Sequence, residues 1–248
     1  MMLRAEGLGK RFGGVVAVDD ASLTVQAGRI VALIGPNGAG KTTLFTMISG
    51  FQRPDSGRVH FDGQDITTLA PHTICKLGLT RTFQIVQPFA GLTVRENIAV
   101  GTHLHHAKRS AALNAADDIA ATLGMSAMLD QPAQNLTVAC RKRLELARAL
   151  ATRPKLLLLD EVMAGLIPSE VAEIIPMIRA IRDKGVTILL IEHVMQAVMS
   201  LSDEAYVLAQ GKMIAHGTPQ EVVGNPAVIE AYLGHGAAQR LQRETQDA

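Results

Sequence analysis

The chain has 248 residues, a formal net charge of +1 and 48% hydrophobic residues. That is enough for one large domain, or a domain carrying a subdomain, with a real core, and the near-zero charge gives no electrostatic pull toward nucleic acid. No apolar run approaches the roughly 18–20 residues of a membrane span, and with no Trp and 3% aromatics the chain lacks the stacking surfaces of a single-strand nucleic-acid binder.

Residues 1–7 contain no apolar segment of the secretory-signal type. Cys75 and Cys140 form neither a disulfide framework nor a metal spacing, so the expected location is cytosolic and reducing. Residues 1–34 read as short β segments broken by Gly13-Gly14 and Gly28, and the run Ile30–Ile34 suits a strand buried on both faces. A glycine-rich turn follows at residues 35–40. Residues 41–49 then carry a helix pattern, with Gly50 as its C-terminal stop. Pro54, Gly57 and Gly63 mark turns and short strands.

From about residue 88 to 151 the texture becomes that of a helical insert. Its last helix, from about Arg141, places Leu144, Ala147 and Ala151 on one face, with Arg141 and Glu145 as an i,i+4 ion pair. Strand–helix alternation then resumes. Leu156–Asp160 is a strand, Val171, Ile174, Ile175 and Ile178 give a helix face that Pro176 is expected to kink, and residues 186–191 are the next strand. Gln210-Gly211 closes a hairpin, and the last dozen residues are polar and expected to be loose.

Gly35-Pro36-Asn37-Gly38-Ala39-Gly40-Lys41-Thr42-Thr43 matches G-x-x-x-x-G-K-[ST] between an apolar strand and a helix. Glycines let backbone N–H groups approach phosphate oxygens, and the helix N-terminus adds partial positive charge. Lys41 would reach the β- and γ-phosphates of ATP, and the Thr42 hydroxyl would ligate Mg²⁺. Leu156–Asp160 followed by Glu161 is an apolar strand ending in two carboxylates, which the sheet delivers to its ligand edge. Asp160 suits Mg²⁺, and Glu161 suits orienting the attacking water. His193 reaches the same edge and suits the γ-phosphate, although a lone His after a strand also reads as structural. Gln84 suits bridging the metal and the water. His103, His105 and His106 lack a carboxylate or cysteine at ligand spacing and read as a solvated cluster.

In this order, the elements resemble the ATP-binding subunit of an ABC transporter over nearly the whole chain. The resemblance implies an α/β P-loop NTPase core of RecA-like, mostly parallel type, with an N-terminal antiparallel β subdomain and an inserted helical subdomain at 88–151. It makes residues 1–248 a single ATPase domain with a loose tail at 236–248. Phe12 falls at the position that stacks on adenine, with core packing as the plainer alternative. Gly78-Leu79-Thr80-Arg81-Thr82-Phe83-Gln84, Leu92-Thr93-Val94-Arg95-Glu96-Asn97 and residues 225–234 are similar to the ATPases of branched-chain amino acid importers. The partners implied are a second ATPase subunit (identical or not), two transmembrane permease subunits and, indirectly, a periplasmic solute-binding protein, with no nucleic acid. The implied location is the cytoplasmic face of the cell membrane. Relatives in the branch carry branched-chain amino acids, urea, amides or aromatic acids. A soluble ABC-type ATPase outside transport and an ATP-binding regulatory subunit are the competing readings.

The sequence departs from the family at its signature, roughly L-S-G-G-Q, where it reads Leu136-Thr137-Val138-Ala139-Cys140. In the family this segment faces the γ-phosphate bound by the partner subunit. Cβ at Ala139 and a thiol at Cys140 are expected to weaken the site that this chain completes, or to be tolerated substitutions. Val162 stands in place of the usual proline, and Ile167 in place of an aspartate.

Overall fold

The amino-terminal strands fold where alternating apolar residues meet glycine turns. In the computed structural model, which describes residues 1–84 and 87–233, the chain forms two compact units, Met1–Leu69 with Leu189–Ala248, and Ala70–Ile188. The expected loose tail, 236–248, and the end of the 225–234 motif lie outside the described residues.

The first unit holds an antiparallel sheet of order β2-β1-β4-β5, from β1 (Leu3–Phe12), β2 (Val15–Val25), β4 (Ser56–Phe61) and β5 (Gln64–Asp65). Leu3, Ala5 and Leu8 of β1 face the core, and irregular register beyond Ala5 bends the strand. A second sheet runs β10-β9-β3-β8, where β3 is Ile30–Ile34, β8 is Thr187–Ile191, β9 is Glu204–Ala209 and β10 is Lys212–Gly217. β3 and β9 are parallel, with Val31 opposite Glu204 and Ile34 opposite Val207. All five residues of β3 are buried, so the unbroken apolar run is a strand covered on both faces. The hairpin at Gln210-Gly211 joins β9 to antiparallel β10 as expected. Helices α1 (Lys41–Ile48), α7 (Met195–Leu201), α8 (Pro219–Val223) and α9 (Pro226–Leu233) complete the unit.

The second unit contains β6 (Leu79–Arg81), which runs parallel to β7 (Leu156–Asp160). Its helices are α2 (Pro71–Leu77), α3 (Val94–Thr102), α4 (Arg109–Thr122), α5 (Val138–Leu150) and α6 (Pro168–Asp183). Thr93 starts α3 with a capping box: its hydroxyl accepts the Glu96 N–H, and the Glu96 carboxylate accepts the Thr93 N–H. The Thr93 N–H and the Thr93 hydroxyl, both donating to the Glu96 carboxylate, hold that carboxyl below its usual range. Asn97 is fully buried. Its Oδ1 accepts the Phe89 N–H at 2.9 Å, and its Nδ2 reaches the carbonyls of Phe89, Leu92 and Thr93. Asn97→Ala strands all of these groups and is expected to destabilise the protein by about 2–3 kcal/mol, read as a lower urea midpoint at unchanged m-value.

Pro176 sits inside α6, which continues through it from Pro168 to Asp183. Its ring lies on the exposed face, where water can satisfy the carbonyl that loses its helical partner. One local expectation is corrected: Arg141 and Glu145 do not pair. Arg141 donates to the Gln134 carbonyl at 2.9 Å, whereas Glu145 is on the buried face and accepts the Phe83 N–H.

Candidate active site

The phosphate loop lies wholly in the first unit, between β3 and α1. Gly35 fits tightly against β9: a Cβ there would fall 1.9 Å from the Leu208 carbonyl oxygen. Gly40 has φ +103°, and a Cβ would fall 2.2 Å from the Ala17 carbonyl oxygen of β2. The Gly211 N–H of the β9–β10 turn also donates to the Ala39 carbonyl at 3.0 Å. α1 has no side-chain cap and no acid in its first turn, so its N-terminal amides stay available to an anion. Lys41 is buried, and its Nζ donates to the carbonyls of Gly35 at 2.7 Å and Pro36 at 3.0 Å. Those contacts fold the ammonium back over the loop. Thr42 is exposed at the helix start, with Thr43 half-buried behind it.

Tyr232 of α9 lies near the same loop, where the Gly35 amide acts on its phenol. Partial burial pushes its phenol pKa up, and the Gly35 amide opposes that shift. Phe12 is half exposed at the end of β1, with the Lys10 ammonium 5.7 Å from its ring centroid, so it is a surface ring and not core packing. His193 follows β8 and is exposed.

The carboxylates lie in the second unit. β7 is buried throughout and ends at Asp160, which is 0% exposed. Arg81 sits opposite Leu158 in the register of β6 on β7, and its Nη2 is 2.6 Å from Asp160 Oδ2. The Asp160 N–H donates to the Thr82 hydroxyl at 3.0 Å. Burial raises the Asp160 carboxyl pKa, Arg81 lowers it through its bond and charge, and the charge of Glu161 raises it. Asp160 Oδ1 is buried with no hydrogen-bond partner among the described residues. A buried carboxylate oxygen left in this way is costly unless a cation takes it up. That vacancy fits a magnesium ligand.

Glu161 is 8% exposed and has φ +51°. Gln84 Nε2 donates to its Oε2 at 2.7 Å, so the structure brings these two predicted residues together. Val162 and Met163 behind Glu161 are buried, and Ile167 is exposed just before α6. At the signature, Thr137 caps α5 by accepting the Cys140 N–H at 3.3 Å. Leu136 and Ala139 are buried, and Val138 is 57% exposed. Ala139 is absent from the positions with positive φ, so its Cβ is compatible with the local backbone. Cys140 is a partly buried free thiol. In the histidine cluster, His103 meets the His106 carbonyl, His105 meets the Thr152 carbonyl and His106 meets Arg153.

Three contributors were missing from the sequence reading. Arg81 is one. The others are Lys142 and Arg148, whose side chains reach the carbonyls of Gln84 and Gln87. A basic residue on β6 at the parity of Asp160 was the available signal for Arg81. Lys142 and Arg148, six residues apart on one helix, gave only the pattern of a charged face.

The ABC transporter family profile matches residues 18–164. The chain belongs to the ABC transporter family of ATP-binding cassettes. A second profile, the branched-chain amino acid ATP-binding cassette transporter, matches residues 212–238. The cassette is 40% identical to a high-affinity branched-chain amino acid transport ATP-binding protein of Pseudomonas aeruginosa, across 94% of this chain and 98% of that one. The corresponding Escherichia coli protein is also 40% identical, with the same coverage. A probable branched-chain amino acid transport ATP-binding protein of Archaeoglobus fulgidus is 37% identical over 94% of this chain and 95% of its own. Among solved structures, a nucleotide-free ATP-binding cassette from an ABC transporter superposes with a TM-score of 0.86 at 34% identity, covering 94% of this chain and 99% of that one. An ADP-bound cassette of an ABC transporter gives the same values. These relatives establish the P-loop α/β fold and the ATPase class of the cassette.

Proposed function

We propose that this cassette energises import of branched-chain amino acids, or of related small amino acids and amides, at the cytoplasmic face of the cell membrane. The observation that carries this reading is the 40% identity across 94% of the chain to the P. aeruginosa protein, which runs on into the branch-specific segment at 212–238. No helix among the described residues is long and apolar enough to cross a membrane, so translocation falls to other subunits. The proposed assembly has two cassettes, identical or not, two permease subunits and a periplasmic solute-binding protein.

A docking place for a permease helix is supported in the second unit. A groove of about 350 Å³ is lined by Phe83, Val100, Leu104, Glu145 and Arg148. Phe83, Val100 and Leu104 expose apolar surface there, and Arg148 stacks 4.7 Å from the Phe89 ring centroid.

In the proposed chemistry the loop amides and Lys41 hold the ATP phosphates, with Lys41 exchanging its carbonyl partners for phosphate oxygens. Mg²⁺, held by Thr42, Asp160 and Gln84, would neutralise phosphate charge. Glu161 takes the proton of a water whose oxygen bonds to the γ-phosphorus. The bond from that phosphorus to the bridging oxygen breaks, and its electron pair leaves with ADP. His193 would contact the γ-phosphate, and Phe12 would stack on adenine. Residues 136–140 would complete the partner's site.

The test is uptake of labelled leucine, an amide and urea into vesicles that hold the cassette with its permease subunits and internal MgATP, with the solute-binding protein supplied outside. ATP-dependent leucine uptake supports the reading. Hydrolysis with uptake of only another solute would move the substrate within the branch, and absence of ATP binding would remove the proposal.

A further inference from the structure

Lys142 is a cation in the wrong setting for a surface charge. It is 5% exposed, on the second turn of α5, and no carboxylate lies within ion-pair distance of it among the described residues. Buried lysines are normally paired or neutralised, because desolvating an ammonium costs more than neutral hydrogen bonds return. Here Nζ donates to two main-chain carbonyls, those of Gln84 and Glu161, each at 3.2 Å. Asp160 and Glu145 feel its charge at longer range.

The two carbonyls belong to residues whose side chains are themselves joined, Gln84 Nε2 to Glu161 Oε2 at 2.7 Å. A closed ring results: ammonium to the Gln84 main chain, Gln84 side chain to Glu161 side chain, and Glu161 main chain back to the ammonium. Glu161 needs such a tether. Its φ of +51° is a conformation that residues with a Cβ seldom adopt, and relaxation would swing the carboxylate away. The Glu161 carbonyl also accepts the Ala164 N–H at 3.1 Å, so two donors hold that peptide. Further along the same face of α5, Glu145 takes the Phe83 N–H and Arg148 donates to the Gln87 carbonyl at 3.0 Å. Positions i, i+3 and i+6 of one helix thus fix the segment that carries Gln84.

We propose that Lys142 is a positioning residue for hydrolysis, holding the Gln84 and Glu161 backbones on one ammonium so that both side chains keep their aim at the attacking water. The inference rests on the assignment of Glu161 as proton acceptor. It gives the signature helix a second task, carried out within its own chain.

The test compares wild type with Lys142→Met, Lys142→Arg, Glu161→Gln and the Lys142→Met/Glu161→Gln pair, measuring kcat, KM for MgATP, nucleotide affinity and Tm. Lys142→Met is expected to lower kcat about 10- to 100-fold, the scale of an ångström-sized misplacement, with KM and nucleotide affinity changed by no more than about threefold. Lys142→Arg, which can still donate to both carbonyls, is expected to recover most of the loss. In the Glu161→Gln background Lys142→Met is expected to add nothing, because it acts through a group already removed. Lys142→Gln carries the same kcat expectation if the methionine variant does not fold. Unchanged kcat in Lys142→Met beside an inactive Glu161→Gln overturns this inference alone. So does a parallel loss of kcat, affinity and Tm that arginine does not rescue, since that marks a purely structural lysine. An active Glu161→Gln instead overturns the assignment of Glu161.

Discussion

Glu161→Gln is expected to lower ATP turnover by about 10²- to 10⁴-fold, the range set by removing a general base, while ATP still binds. The substitution is close to isosteric. The glutamine oxygen can still accept from Gln84 Nε2, so the 2.7 Å contact survives and only the charge is removed. Asp160 should respond as well, because the Glu161 charge is one of the causes that raise its carboxyl pKa. Phosphate release under saturating MgATP, with nucleotide affinity measured separately, distinguishes the outcomes. A large fall in kcat at unchanged affinity places Glu161 at the chemical step. Wild-type turnover in the variant would assign proton transfer to another group.

Gly40→Ala is expected to weaken ATP binding about 100-fold or more without unfolding the chain. The φ of +103° alone makes alanine costly, on the order of 1–3 kcal/mol. The upper figure already corresponds to about two decades in affinity. The steric problem adds to it, since the new Cβ would lie 2.2 Å from the Ala17 carbonyl oxygen, and that oxygen belongs to the backbone of β2. The loop must therefore move, and with it the amides at the start of α1 that are proposed to hold the phosphates. Gly91→Ala is a suitable control, since a Cβ there meets nothing within 4 Å. Isothermal titration with ATP, alongside circular dichroism to confirm the fold, tests the expectation. Tight binding by Gly40→Ala would mean that the loop is softer than its packing implies.

The parts of the site that could be read directly are contiguous in sequence. The phosphate loop announces itself because strand, glycines, lysine and helix follow one another, and its chemistry is carried largely by backbone. Leu156–Asp160 was equally plain, since four apolar residues before two acids leave few folds open. The ion pair of Arg81 with Asp160 depends on how β6 registers on β7, and pairing register between distant segments leaves no local periodic signal. The face of α5 was misread for a related reason. Spacing four residues apart made Arg141 and Glu145 partners, but Glu145 points inward and meets the Phe83 amide instead. A helical pattern shows which residues share a face. Which face is covered, and by what, is decided by the segment packed against it.

The Gly35 amide acts on the Tyr232 phenol, which relates two segments far apart in sequence. One belongs to the stretch matched by the branched-chain profile, and the other opens the nucleotide loop. Exchanging C-terminal segments between cassettes to alter which complex they join would therefore also change a side chain beside the phosphate loop. Chimeras of this kind would change two properties at once, and a truncation before α9 used to simplify purification would alter the reagent it was meant to preserve.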